Sequence, residues 1–126
     1  METAAVIATV LLGILTVFQI ALALGAPWGA AAWGGRHPGV LPVGYRAAST
    51  IAAIAVYPLI IGIVLASADL IDADWLPAGA GAMWLLTGFF ALGVLANGAS
   101  PSRVERLWAP VSGVIAICCA VIAAGM

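Results

Sequence analysis

The sequence predicts an all-α integral membrane protein, an antiparallel bundle of four transmembrane helices that forms one domain over residues 1–126. Hydrophobic residues make up 65% of the chain and charged residues only 7%, against about 25% charged in a typical soluble domain. The charges divide the chain into four long uncharged runs. No segment shows the short alternating pattern of a membrane-spanning strand, so helices are favoured over a barrel.

The same composition excludes several classes of function. Four basic and five acidic side chains cannot cover the surface of a globule of this size in water, which excludes a soluble enzyme or a cytosolic binding module. Disordered chains are polar and charged, so disorder is excluded as well. With four arginines, no lysine and a net charge of −1, the chain has no basic patch, and we expect no nucleic-acid partner.

The uncharged runs cover residues 3–35, 47–68, 75–102 and 107–126. A helix needs roughly 20 residues to cross a hydrocarbon core, so each run is long enough for one span and too short for two. Helices are required because lipid offers no hydrogen-bond partner to backbone groups. We therefore predict spans near 4–24, 46–68, 79–97 and 103–126. The first is expected to be a retained span rather than a signal peptide, because no basic residue precedes it.

Prolines, a polar pair and small residues predict the local geometry of these helices. Pro58 predicts a kink within the second helix, and Pro110 predicts another near the start of the fourth. Ser102 and Glu105 have the spacing of a capping box, so the fourth helix is predicted to begin at Ser102. Small residues three or four positions apart predict close packing between helices. These stripes are Ala5, Thr9 and Gly13; Pro58, Gly62 and Ala66; Gly88 and Ala91; and Ser112, Ala116, Ala120 and Ala124.

The arginines predict the orientation. Arg36 and Arg46 lie in the first connector, while Arg103 and Arg106 lie in the third, and these two connectors face the same side of a four-span chain. The positive-inside rule places that side in the cytoplasm and both termini outside. The opposite side carries the acidic residues Glu2, Asp69, Asp72 and Asp74.

The first connector is the least ordinary segment, because it is rich in glycine and proline and yet apolar. We expect it to lie in the membrane interface or to fold back under the bundle, and both remain open. With the third connector it predicts a cytoplasmic-face pocket in which arginines bind an anionic group such as lipid phosphate. The alternative is an aromatic belt with positive-inside arginines. The candidate lipid- or partner-binding residues are Trp28, Trp33, Arg36, His37, Arg46, Asn97, Ser102, Arg103, Glu105, Arg106 and Trp108.

Few residues are candidates for chemistry inside the membrane. No ionisable residue falls in the middle of a span, which disfavours a proton-coupled transporter. Gln19 and Tyr57 are expected to make hydrogen bonds between helices, and the adjacent Cys118 and Cys119 are expected to serve as small packing residues. His37 is the only histidine, and the acidic second connector lacks the glycine and distal glutamate of a calcium loop. The sequence therefore predicts no metal site and no cofactor, although a quinone held only by helix packing is left open.

The two predicted cytoplasmic connectors resemble those of a family of small bacterial four-span membrane proteins. The first motif falls on Pro27, Trp28, Gly34, Gly35, Arg36, Leu41, Pro42 and Arg46. The second falls on Asn97, Ser102, Glu105, Arg106, Trp108 and Pro110. The resemblance covers most of the chain and implies a bacterial inner-membrane protein. It implies no catalytic residue, because the family has no assigned activity.

Three functions are compatible with these features. The lack of an evident catalytic group favours a non-enzymatic accessory subunit or lipid-associated scaffold, whose partner is anionic membrane lipid or another membrane protein. The alternative is a small channel or transporter, which would have to assemble as a homo-oligomer because one protomer has too few helices for an obvious path. The third is a membrane enzyme acting on a lipid or isoprenoid, which requires His37, Glu105 and the arginines to converge at the interface.

Overall fold

The computed structural model describes residues 1–126 and is entirely helical. Four helices cross the molecule: α1 (Glu2–Ala23), α2 (Val43–Ser67), α3 (Ala80–Gly98) and α4 (Trp108–Ala124), the last preceded by one 3-10 turn at Glu105–Leu107. By length and composition, all four are able to span a membrane. The predicted four-helix transmembrane fold is confirmed, and most predicted ends agree with the observed ones to within about three residues.

The helices pack in the spatial order α2, α1, α4, α3. Helix α1 contacts both α2 and α4, whereas α3 packs mainly against α4 and touches α2 only slightly. Both termini lie at one end of the bundle, where Met1 contacts Gly125, and we call this the acidic end. The connectors 24–42 and 99–107 lie together at the opposite end, which we call the arginine end.

The main apolar core occupies the acidic end and the middle of the bundle. Its fully buried side chains include Leu12 of α1, Val64 of α2, Met83 of α3 and Ile115 of α4. Cys118 and Cys119 are free, buried members of this core, as expected for packing residues. A much smaller apolar cluster, Leu22, Ala32 and Leu41, lies at the arginine end. A cavity lies between the two clusters, lined by Leu15 of the main core and Ala32 of the small cluster.

Most of the outer surface is apolar. Only 29 of the 126 residues are buried, and large aliphatic side chains such as Val17, Leu85 and Leu92 point outward. A soluble monomer does not expose apolar surface on this scale, whereas lipid solvates it without cost. Exposed tryptophans lie toward both ends: Trp28 and Trp33 toward the arginine end, Trp75 and Trp84 toward the acidic end.

The two prolines behave differently. Pro58 has no backbone N–H, and the turn just before it, Ala52–Val56, widens into a π turn in which Tyr57 N donates to Ala52 O. The predicted irregularity in α2 therefore takes the form of a π turn. Pro110 is the third residue of α4 and lies in its first turn, where a missing N–H removes no bond of a regular helix. Consequently α4 runs uninterrupted from Trp108, and the predicted kink at Pro110 is wrong.

The small-residue stripes are only partly at helix interfaces. Ala5, Ser112 and Ala116 are buried, but Gly88 and Ala91 are exposed, so the stripe predicted for α3 makes no helix contact within the bundle. Helix α3 instead approaches α4 through other glycines. A Cβ on Gly93 would lie 3.0 Å from Ser112 Oγ, and one on Gly113 would lie 3.6 Å from Val94 Cγ2. These contacts explain how α3, in which only Met83 and Phe90 are buried, still packs closely against α4.

Candidate functional site

The connectors 24–42 and 99–107 form one hydrogen-bonded unit across the arginine end, which we call the platform. Gly34 N donates to Glu105 Oε2 at 2.9 Å, and Trp108 Nε1 donates to Ala31 O at 2.9 Å. Ser102 Oγ donates to Ala30 O. Each bond joins residues more than 70 positions apart in the chain. The first connector therefore folds back over the bundle and is held there by the third.

These bonds overturn the predicted capping box. The Ser102 hydroxyl donates to Ala30 O, and the Glu105 carboxylate accepts from Gly34 N. Neither side chain caps a helix. The α-helix accordingly begins at Trp108 and not at Ser102, with the 3-10 turn as a lead-in. The spacing of the pair is that of a capping box, but both side chains form hydrogen bonds with backbone atoms of the connector 24–42 instead.

Glycine makes the close approach within the platform possible. Gly35 has a φ of +69°, and a Cβ there would lie 2.5 Å from Ser102 Cβ. Gly29 donates its N–H to Gly39 O at 2.8 Å, in a site where a Cβ would overlap the backbone of His37. The backbone of Gly35 lies against the Ser102 side chain and that of Gly29 against the His37 backbone, and a larger residue would prevent either approach.

The arginines of this end make no contact with a carboxylate. Arg46 Nε donates to Ala23 O at 3.1 Å, at the C-terminus of α1, where a cation is favoured by the helix dipole. Arg106 Nε donates to Ser100 O at 2.6 Å, although its side chain is exposed. Arg36 and Arg103 are also exposed. Arg46 is thus a helix-capping residue, while the other three present charge outward.

His37 belongs to an aromatic cluster. Its ring packs on Tyr45 with centroids 4.9 Å apart, and Tyr45 in turn packs on Trp33 at 6.0 Å. Trp33, which adopts a φ of +51°, donates its Nε1 hydrogen to Ser49 Oγ at 3.0 Å. His37 does not line the cavity that contains Glu105, so the structure does not join the pair that the enzyme hypothesis requires.

Beneath the platform lies a cavity of about 470 Å³, which we call the cleft. It lies between α1, α3 and α4, with the side chain of Tyr57 from α2 also in its wall. Most of its lining is apolar and aromatic. Phe89 and Leu92 are exposed on the outside of α3, so the wall on that side is incomplete.

The polar side chains of the cleft include one carboxylate, two amides and two hydroxyl groups. Glu105 is only 6% exposed, and its one hydrogen bond is from Gly34 N. Gln19 is 9% exposed, and its Oε1 has no hydrogen-bond partner. Asn97 Nδ2 donates to Gly93 O at 2.8 Å, within its own helix. No arginine and no histidine lines the cleft, so it holds one carboxylate and no cation.

A second cavity lies on the other side of Phe18 and Trp108, and we call it the recess. Its volume is about 530 Å³, and eight of its nine lining residues are hydrophobic. Trp28, Val104 and Leu107 form its outer part and are exposed. Their sequence neighbours Arg103 and Arg106 are exposed as well, which places positive charge beside an apolar cavity.

The structure divides the predicted site residues among five locations. Trp33, Asn97, Glu105 and Trp108 line the cleft, and Trp108 also lines the recess with Trp28. Two residues, Ser102 and Arg46, donate hydrogen bonds to backbone carbonyls. Three arginines face outward: Arg36, Arg103 and Arg106. The ring of His37 packs on Tyr45. In place of the predicted single pocket of arginines there are two cavities, and the cleft is the one lined by a carboxylate.

Sequence reasoning missed Gln19 as a cleft residue, because its polarity within an apolar span suggested a hydrogen bond between helices. Its side chain does contact the Tyr57 hydroxyl of α2, as predicted, but its Oε1 has no hydrogen-bond partner and lies in the lining of the cleft. No protein-family model, curated protein or solved structure matches the chain, so these comparisons add nothing to what the geometry of the cavities indicates.

Proposed function

We propose that this protein is a non-enzymatic multi-pass membrane protein that binds anionic lipid at its arginine end and acts as an accessory subunit or scaffold. The observation that carries the proposal is the recess, an apolar cavity beside the outward-facing Arg103 and Arg106. A lipid offers the matching parts, since an acyl chain fits the apolar cavity and a phosphate group accepts hydrogen bonds from arginine.

The exposed surroundings of the recess support the same proposal. Trp28 lies at its mouth, and the indole ring of tryptophan favours the headgroup region. Arg103 has no hydrogen bond within the chain, and Arg106 uses only Nε for Ser100 O. The guanidinium N–H groups of Arg103 and the remaining ones of Arg106 are therefore available to donate to a lipid phosphate in the headgroup region.

Lipid retention in native mass spectrometry tests this proposal. The protein is released from nanodiscs that contain equal amounts of phosphatidylglycerol and phosphatidylcholine, and the bound lipids are counted. We expect phosphatidylglycerol to be retained preferentially, and Arg103→Gln to reduce that preference about fivefold, equivalent to about 1 kcal/mol per arginine. Arg103→Lys should keep most of the preference, and Asp72→Asn at the acidic end should not change it.

Equal retention of the two lipids would contradict the proposal, as would a preference that Arg103→Gln leaves intact. The same spectrum reports stoichiometry. A defined oligomer that retains no lipid would favour the alternative of a small channel or transporter.

We further propose that the protein resides in a bacterial inner membrane with its arginine end in the cytoplasm. All four arginines lie toward this end, whereas Glu2 and three aspartates lie toward the other. A membrane-impermeant thiol reagent applied to spheroplasts should label Asp72→Cys and spare Arg103→Cys until the membrane is opened. The native cysteines are buried and should contribute little labelling. The reverse pattern would invert the proposed orientation.

A further inference from the structure

We propose that the cleft is a binding site for an amphipathic organic ammonium, distinct from the lipid recess. The ammonium group would lie between Glu105 and Gln19, and the apolar body of the ligand would lie against the aromatic wall. Three features of the cleft support this assignment: an unpaired carboxylate, an unpartnered amide oxygen and a lining that is aromatic and free of cations.

Glu105 indicates the charge of the ligand. Its carboxylate is almost fully buried and is held by a single backbone N–H, that of Gly34. A buried carboxylate is costly unless a cation and further hydrogen bonds compensate it. The arginine hydrogen bonds at this end go to the carbonyls of Ala23 and Ser100 and not to Glu105. A cationic ligand would supply the missing charge.

Gln19 indicates that the ligand is a hydrogen-bond donor. Its Oε1 is buried in the wall of the cleft and accepts no hydrogen bond, although the Tyr57 hydroxyl contacts the same amide side chain. An orphaned buried acceptor costs about 1–3 kcal/mol, so such atoms are rare without a partner. A primary ammonium carries three N–H donors, enough for Glu105, Gln19 and one more acceptor.

The remaining wall suits an apolar body next to a cation. Six aromatic side chains line the cleft, and aromatic faces attract organic cations. A volume of about 470 Å³ lies within the range of small-molecule sites. Because the only charged group in the lining is a carboxylate, the cleft should reject anions of the same size.

A charge series of similar shape tests the inference on the full chain in neutral nanodiscs. The probes are phenylbutylammonium, phenylbutanol and phenylpentanoate, and empty nanodiscs correct for partition into lipid. We expect saturable binding of the ammonium, binding of the alcohol about tenfold weaker, and no saturable binding of the carboxylate, because a charge-assisted hydrogen bond exceeds a neutral one by this order. Equal binding of all three probes, tighter binding of the carboxylate, or no saturable binding of the ammonium would overturn the proposal.

Two variants separate the roles of the polar groups. Glu105→Gln keeps an acceptor for Gly34 N, so the platform should persist, while ammonium binding falls about tenfold and alcohol binding stays the same. Gln19→Leu should weaken both probes. Glu2→Gln removes a carboxylate from the acidic end and serves as the matched control. Unchanged ammonium binding in Glu105→Gln would show that Glu105 serves only as the hydrogen-bond partner of Gly34 in the first connector. That result would overturn the assignment of the cleft as an ammonium site.

The outcome is independent of lipid binding at the recess. Glu105→Gln should retain phosphatidylglycerol like the unmodified protein, and Arg103→Gln should bind the ammonium normally. Should Glu105→Gln fail to fold, the probe series on the unmodified chain and Gln19→Leu still decide the question.

Discussion

At the scale of single residues, Gly35 permits the two connectors to touch. Its backbone lies in the left-handed region, and a side chain there would overlap Ser102. Gly39 has a similar φ of +90° but has open space around it. The two glycines therefore differ in steric contact while sharing a strained backbone conformation.

We expect Gly35→Ala to lower the free energy of unfolding by about 2 kcal/mol or more, since it combines backbone strain with a clash. Gly39→Ala adds only the strain and should cost about 1 kcal/mol. Unfolding in mixed micelles measures both. Equal losses in the two variants would mean that the contact with Ser102 is not tight in solution.

Residue-scale predictions from the sequence failed where a side chain has a distant partner. Ser102 and Glu105 match a capping box by spacing, and only the first connector, more than 70 residues away, explains why they bond elsewhere. The local spacing of two residues does not show which distant backbone atom will form a hydrogen bond with their side chains in place of the helix terminus.

At the scale of elements, α2 and α3 are linked by one hydrogen bond at the acidic end. Gly79, which immediately precedes α3, donates its N–H to Ser67 Oγ at 3.0 Å, and Ser67 is only 2% exposed. The two helices otherwise touch little. This bond therefore has a large share in fixing where α3 begins.

Ser67→Ala should leave the Gly79 N–H without its partner and loosen the first turn of α3. We expect amide exchange there to rise about five- to thirtyfold, corresponding to about 1–2 kcal/mol. Thr50→Ala is the matched control, because Thr50 Oγ1 bonds only within its own helix, to Arg46 O. Hydrogen exchange followed by mass spectrometry measures both variants, and equal exchange would contradict the assigned role of Ser67.

The helices themselves were predictable because lipid imposes one rule on every span. Uncharged runs of sufficient length must be helical, and all four are. The errors lie at the ends. Helix α2 begins at Val43 and not near Arg46, because Arg46 bonds Ala23 O and so is accommodated inside the helix. A charge marks the edge of an apolar run, which need not be the edge of a helix.

At the scale of the whole molecule, the order α2, α1, α4, α3 makes α3 dependent on α4 for its position. A Cβ at Gly93 would lie 3.5 Å from Ser112 Cβ, which is within the range for a disulfide. Oxidation of Gly93→Cys combined with Ser112→Cys should therefore consume both thiols, in a chain with Cys118 and Cys119 changed to alanine. Gly88→Cys with Ser112→Cys should not react, since Gly88 faces outward. Bridging of the second pair would indicate a different rotation of α3.

The arrangement of the arginine end was only partly predictable at this scale. The alternation of four spans requires the two arginine-bearing connectors to meet at one end, and they do. Whether they enclose a pocket for an anion or for a cation depends on side-chain directions. Glu105 turns inward, whereas Arg36 and Arg103 turn outward, and no pattern in the sequence fixes these directions.

The exposed tryptophans at the two ends have a practical consequence. Trp28 and Trp75 lie toward opposite ends of the bundle and are both open to their surroundings. Indole emission is quenched by bromine on a lipid chain only at close range, so the unlabelled protein reports its own depth in a bilayer. Bromine near the headgroups should quench its fluorescence more than bromine near the chain ends, whereas in a chain inserted by one end only, the tryptophan emission of that end alone would be quenched.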